Sequence, residues 1–119
     1  MALSAGDTAS QSNEPSQRKV DPIAPVTIHD GFLTAKDFRE LPQARKVSYV
    51  TGVLDGMLLA PFFGAPKNRL EWFESCVVGM DDEQVTAILS RFVAENPARW
   101  HQRVHTQFYA AMREACGKK

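Results

Sequence analysis

The chain has 119 residues, enough for one small domain, and its 44% hydrophobic and 24% charged content is an ordinary globular balance. Lys+Arg and Asp+Glu both total 14, so the zero net charge gives no electrostatic reason to expect nucleic acid or an anionic membrane surface as partner. No apolar run approaches the roughly 18 residues of a membrane span, so no membrane insertion is expected.

Residues 1–30 read as a disordered N-terminal tail or tether, and 31–119 as a single helical domain. Met1–Thr8 and Ser10–Ser16 contain almost nothing to bury, and Pro15, Pro22 and Pro25 discourage regular structure through Val26. Regular structure is expected from Phe32. Thr34 suits an N-cap with Asp37 at N3, and Phe38 and Leu41 give a short apolar stripe.

Pro42 either ends that helix or opens the next, which is expected to run to about Leu59. Val47, Val50, Val53, Leu54, Met57 and Leu58 recur at helical spacing. The same helix carries a second pattern: Ser48, Gly52, Gly56 and Ala60 are four apart and share a face. Glycine inside a helix costs roughly 1 kcal/mol relative to alanine, which points to close approach of another backbone. That backbone is expected to be another helix of the same domain, with a homodimer interface as the alternative.

Pro61, Gly64 and Pro66 mark a loop that also holds the adjacent Phe62 and Phe63. One or two helical turns from Leu70 to Ser75, with Trp72 and Phe73, lead into Cys76. These aromatics either fold back as a lid on the core or form an exposed recognition loop. Asp81 caps the next helix with Gln84 completing a capping box, and Val85, Ile88, Leu89, Phe92 and Val93 form its apolar face. Asn96 then reads as a cap and Pro97 as the first residue of a last helix reaching about Ala115. Trp100, Val104, Phe108, Ala111 and Ala115 are its expected buried stripe, with Tyr109 and Met112 on the flank. The fold class is therefore all-α, a small bundle of about four helices.

Cys76 and Cys116 are the only cysteines, at the outer ends of the C-terminal helical hairpin. A disulfide there would staple the hairpin and place the chain in an oxidising compartment. It would close a loop of about 40 residues and contribute about 4 kcal/mol in the chain-entropy account. Free buried thiols are the alternative; without a CxxC spacing or a histidine beside either cysteine, a catalytic thiol or metal pair is not expected. His101 and His105 share a helix face by spacing, but two ligands are not a metal site, and they read as surface residues. Asp55 reads as a partly buried carboxylate able to pair with an arginine. No catalytic residue, cofactor or metal is expected.

Tyr49-Val50-Thr51-Gly52-Val53-Leu54-Asp55-Gly56 resembles the tyrosine–x–x–glycine–x–x–aspartate–glycine signature of the Rap/Tai immunity proteins. Similar too are Cys76 before a short turn, Gln84 near a helix start, and Ala94-Glu95-Asn96-Pro97 before a last helix closing at Cys116. The resemblance covers about residues 32–117. Members often carry a further cysteine pair near the first two helices, absent here, and a proline where this chain has Val77. The resemblance implies a small periplasmic helical protein that neutralises a peptidoglycan amidase toxin delivered by type VI secretion. Such proteins bind the toxin and block its active-site cleft, frequently as dimers. Export would require a signal absent from the sequence as given.

On loop composition alone, Phe62, Phe63, Lys67, Arg69 and Trp72 are the expected partner contacts. Two other classes remain as alternatives: a periplasmic helical chaperone of the acid-stress type, and an envelope-tethered structural or accessory domain.

Overall fold

A computed structural model describes Pro25, Thr27, Ile28 and residues 30–117. Most of the expected tail, residues 1–30, lies outside the described residues. The described residues contain five α-helices: α1 (Ala35–Arg39), α2 (Gln43–Leu58), α3 (Glu71–Val77), α4 (Asp82–Glu95) and α5 (Val104–Cys116). Short 3-10 turns at Ala60–Phe63, Lys67–Arg69 and Pro97–Arg99 join them, and among the described residues there is no strand beyond one isolated bridge between Thr34 and Arg103.

Two helices start where side-chain chemistry dictates. The Thr34 hydroxyl accepts the Asp37 N–H and the Asp37 carboxylate accepts the Thr34 N–H, both at 3.1 Å. The same exchange joins Asp81 and Gln84 at 2.8 Å in each direction. Each capping box satisfies two N–H groups that would otherwise lack an intrahelical partner. Pro42 is extended, with ψ 154°, and precedes the first helical residue of α2.

The last helix departs from expectation. Asn96 does not open it: its side-chain amide donates back to the Phe92 carbonyl at 2.7 Å, and Pro97–Arg99 form only a single 3-10 turn. The chain then bends and pairs in both directions with the backbone around α1. Lys36 N–H donates to Trp100 O at 3.0 Å, Ala35 N–H to Gln102 O at 2.9 Å, and Val104 N–H to Leu33 O at 2.9 Å. Groups committed to this long-range pairing cannot also continue a helix. His101 therefore lies before α5 begins, and His101 and His105 do not share a helix face. The buried face of α5 is Val104, Gln107, Phe108, Ala111 and Met112, whereas Ala115 is exposed and Trp100 half-buried. The Trp100 indole N–H donates to Val93 O at 2.7 Å.

Phe38, Phe73, Phe108, Leu89 and Met112 are fully buried and draw their neighbours from every helix. The rings of Phe73 and Phe108 meet edge to face, 6.4 Å between centroids, joining α3 to α5. Cys76 and Cys116 form the expected disulfide, with Cα atoms 5.7 Å apart. Cys76 enters from α3, so the bridge fastens that short helix to the end of α5, beside the α4–α5 hairpin.

Candidate functional site

The segment between α2 and α3 has a fixed shape. Pro61 presets φ for the first 3-10 turn. Gly64 ends it at φ +103°, where its N–H donates to Pro61 O at 3.1 Å and the next N–H, of Ala65, donates to Ala60 O at 3.2 Å. The second turn, Lys67–Arg69, closes with Leu70 N–H on Lys67 O at 3.0 Å, and the Leu70 side chain enters the core.

On this frame the aromatics divide. Phe62 is 82% and Phe63 86% exposed, so both stand in water on the first turn. Trp72 and Phe73 fold back instead: Phe73 is fully buried, and Trp72 is half-buried with its centroid 5.5 Å from that of Phe73 and 6.0 Å from that of Tyr109. Trp72 and Phe73 thus fold back on the core as a lid would, and Phe62 and Phe63 are exposed.

Beside the turns lies a cleft of about 500 Å³. Met57 of α2, Arg69 and Leu70 of the second turn, Trp72 of α3, and Tyr109 and Arg113 of α5 line it. The Arg113 guanidinium lies over the Trp72 ring, 4.5 Å from its centroid, a cation–π arrangement. Of the residues expected from sequence, Arg69 and Trp72 line the cleft, Phe62 and Phe63 form the neighbouring tip, and Lys67 is exposed on the turn between them. Sequence reading missed Met57, Tyr109 and Arg113. Tyr109 and Arg113 are four apart on α5 and so share a face, which is the signal that pairs them.

No family model, curated protein or solved structure matches this chain.

The stripe of Ser48, Gly52, Gly56 and Ala60 corrects one expectation. No helix among the described residues covers Ser48, Gly52 or Gly56, which are exposed, and a β-carbon on either glycine would meet nothing within 4 Å; Ala60 is half-buried at the start of the first 3-10 turn. The cause is geometric. Val50, Val53, Leu54 and Met57 face the core, and Gly52 sits roughly 200° around the helix from Val50. Asp55 lies on the exposed side as well, and takes part in no ion pair among the described residues.

Charge is locally ordered at the other end of the molecule. A hydrogen bond from Arg103 holds the Asp30 carboxyl below the ordinary carboxylate range. Burial pushes the Tyr49 phenol up. Among the described residues no three His, Cys, Asp or Glu side chains gather as metal ligands would.

Proposed function

We propose that this chain is a non-catalytic, immunity-type inhibitor that binds a peptidoglycan amidase toxin and blocks it, using the first 3-10 turn and the adjacent cleft as its contact surface. The observation that carries this reading is the pair Phe62 and Phe63, more than four-fifths exposed on a turn closed by its own backbone hydrogen bonds. Two exposed phenylalanines held rigidly are costly to leave in water and lose little entropy when covered, which is the chemistry of a binding hot spot. The resemblance over residues 32–117 supplies the target class. The disulfide suits an oxidising compartment, and a periplasmic location is part of the proposal.

A homodimer through the exposed stripe of Ser48, Gly52 and Gly56 is the arrangement we propose for the free protein, since α2 presents a bare face there. The test is direct: an amidase encoded beside this gene, purified and mixed with the oxidised protein, should form a stable complex and lose activity on peptidoglycan. An amidase that stays active at saturating protein overturns the reading. Partial unfolding at pH 2–3 with binding of many unrelated clients would point to the acid-stress chaperone class instead.

A further inference from the structure

The cleft beside the aromatic turn has a floor and a rim of different chemistry. Met57, Leu70 and Trp72 give an apolar floor, and Arg69 and Arg113 add two guanidinium groups. Arg113 packs its guanidinium against two neighbours. One side of its guanidinium lies against the Trp72 ring, 4.5 Å from the centroid. On another side is Gly117, whose backbone lies close against the guanidinium: a β-carbon there would stand 2.9 Å from Cζ. Gly117 N–H in turn donates to Arg113 O at 2.8 Å, next to the bridged Cys116.

No carboxylate among the described residues answers these cations. Among the described residues the ion pairs join Lys36 to Glu40, Arg91 to Glu95 and Arg103 to Asp30. Arg69, Arg113 and the nearby Lys67 take part in none. A guanidinium stacked on an aromatic ring keeps its N–H edge available, and a carboxylate received there gains charge-assisted hydrogen bonds from a group already ordered.

We infer that this cleft receives an acidic segment of the protein partner, in which a carboxylate side chain stands next to an apolar one. The carboxylate accepts hydrogen bonds from the Arg113 guanidinium, with Arg69 adding positive charge on the same cleft. The apolar neighbour lies on Met57, Leu70 and Trp72. Charge complementarity selects this occupant: a basic segment would be repelled by both arginines, and a purely apolar one would leave them without a counter-charge. This inference rests on the proposed binding role and specifies the chemistry of what the surface binds.

Two small probes test it on the full, oxidised chain: acetyl-Glu-Leu-amide and acetyl-Gln-Leu-amide, followed by the indole N–H signals in nitrogen-15 NMR. The glutamate probe should shift the Trp72 indole saturably and leave the Trp100 indole, tied to Val93 O, in place. The glutamine probe should bind at least about five-fold more weakly, and about 0.5 M salt should narrow the difference. Arg113→Gln should make the two probes equal, and Arg69→Gln should reduce the difference. Equal binding of both probes to the native chain overturns the inference, as does the absence of any saturable Trp72 shift. These native-chain results stand even if a variant does not fold. The broader reading is judged separately: an amidase bound equally well by the native chain and by Arg113→Gln sinks the acidic-segment inference and leaves the inhibitor role intact. Failure to bind any amidase sinks the inhibitor role, whatever the probes do.

Discussion

Gly31 lies against the imidazole of His105: a β-carbon at position 31 would stand 2.6 Å from Cε1 and 2.7 Å from Nδ1. Its φ of +137° belongs to a backbone region that is close to glycine-only. Gly31 also sits between Asp30, paired with Arg103, and the stretch whose Leu33 carbonyl receives the first N–H of α5. Gly31→Ala should therefore destabilise the fold by about 1–3 kcal/mol through backbone strain and displacement of the ring. Urea unfolding followed by far-UV circular dichroism measures it, and an unchanged midpoint would show that this entry strap does not support α5.

The opposite sign is expected on α2. Gly52→Ala and Gly56→Ala add methyl groups to open space in a helix interior, so each should stabilise a monomer by about 0.5–1 kcal/mol. Unfolding at several protein concentrations separates this from the dimer reading. If the native midpoint rises with concentration and the alanine variants lose that rise, the stripe is a dimer face.

These two glycines also show what was legible. The apolar positions Val50, Val53, Leu54 and Met57 define the buried face of α2, and helical geometry then puts Gly52 and Gly56 on the other side. The exposed stripe could thus be read from the sequence, although glycine's helix penalty pointed towards close packing. Thr34 with Asp37, and Asp81 with Gln84, were legible because a capping box is local. Asn96-Pro97 misled for the complementary reason. Its local preference for a helix start is real, but carbonyls at Trp100 and Gln102 are claimed by N–H groups of α1, far away in sequence. The cleft was half legible: Arg69 and Trp72 stand out in their loop, whereas Tyr109 and Arg113 reach it only through the packing of α5 on α3.

Removing the disulfide with the Cys76→Ser, Cys116→Ser double variant should lower stability by up to about 4 kcal/mol. The loss should concentrate in α3, since the bridge holds that seven-residue helix to the end of α5. Hydrogen exchange at Trp72–Val77 reads this out. Uniform loss of protection across all helices would mean that α3 is held mainly by Phe73 and Leu70.

Among the described residues two groups have shifted pKa values that tie stability to pH. Asp30 has a lowered carboxyl pKa because Arg103 hydrogen-bonds its charged form, so its contribution is present above the ordinary value of 3.8 and is lost as pH falls through the lower folded value. Tyr49 has a raised pKa from burial, so its contribution is present below 10.0 and is lost as pH rises through the folded value. Asp30→Asn should flatten the acid limb of the stability profile, and Tyr49→Phe the alkaline limb. Urea midpoints between pH 2 and 11 test both; a variant profile that parallels the native one on its limb removes that group from the account.

The exposed phenylalanines give the sharpest separation of binding from folding. Phe62→Ser with Phe63→Ser removes rings that touch water over more than four-fifths of their surface, so stability should change by less than about 0.5 kcal/mol. Affinity for the proposed amidase partner should fall at least about thirty-fold, the scale of a hot-spot loss of roughly 2 kcal/mol. Trp72→Ala is a poorer probe, because Trp72 also packs on Phe73 and carries Arg113, and its loss would disturb the fold and the surface together. Calorimetric titration of the proposed amidase partner with the double serine variant, beside its thermal melt, makes the comparison. An intact melt with weakened binding places the partner on this turn, whereas an intact melt with native affinity moves the contact surface elsewhere on the bundle.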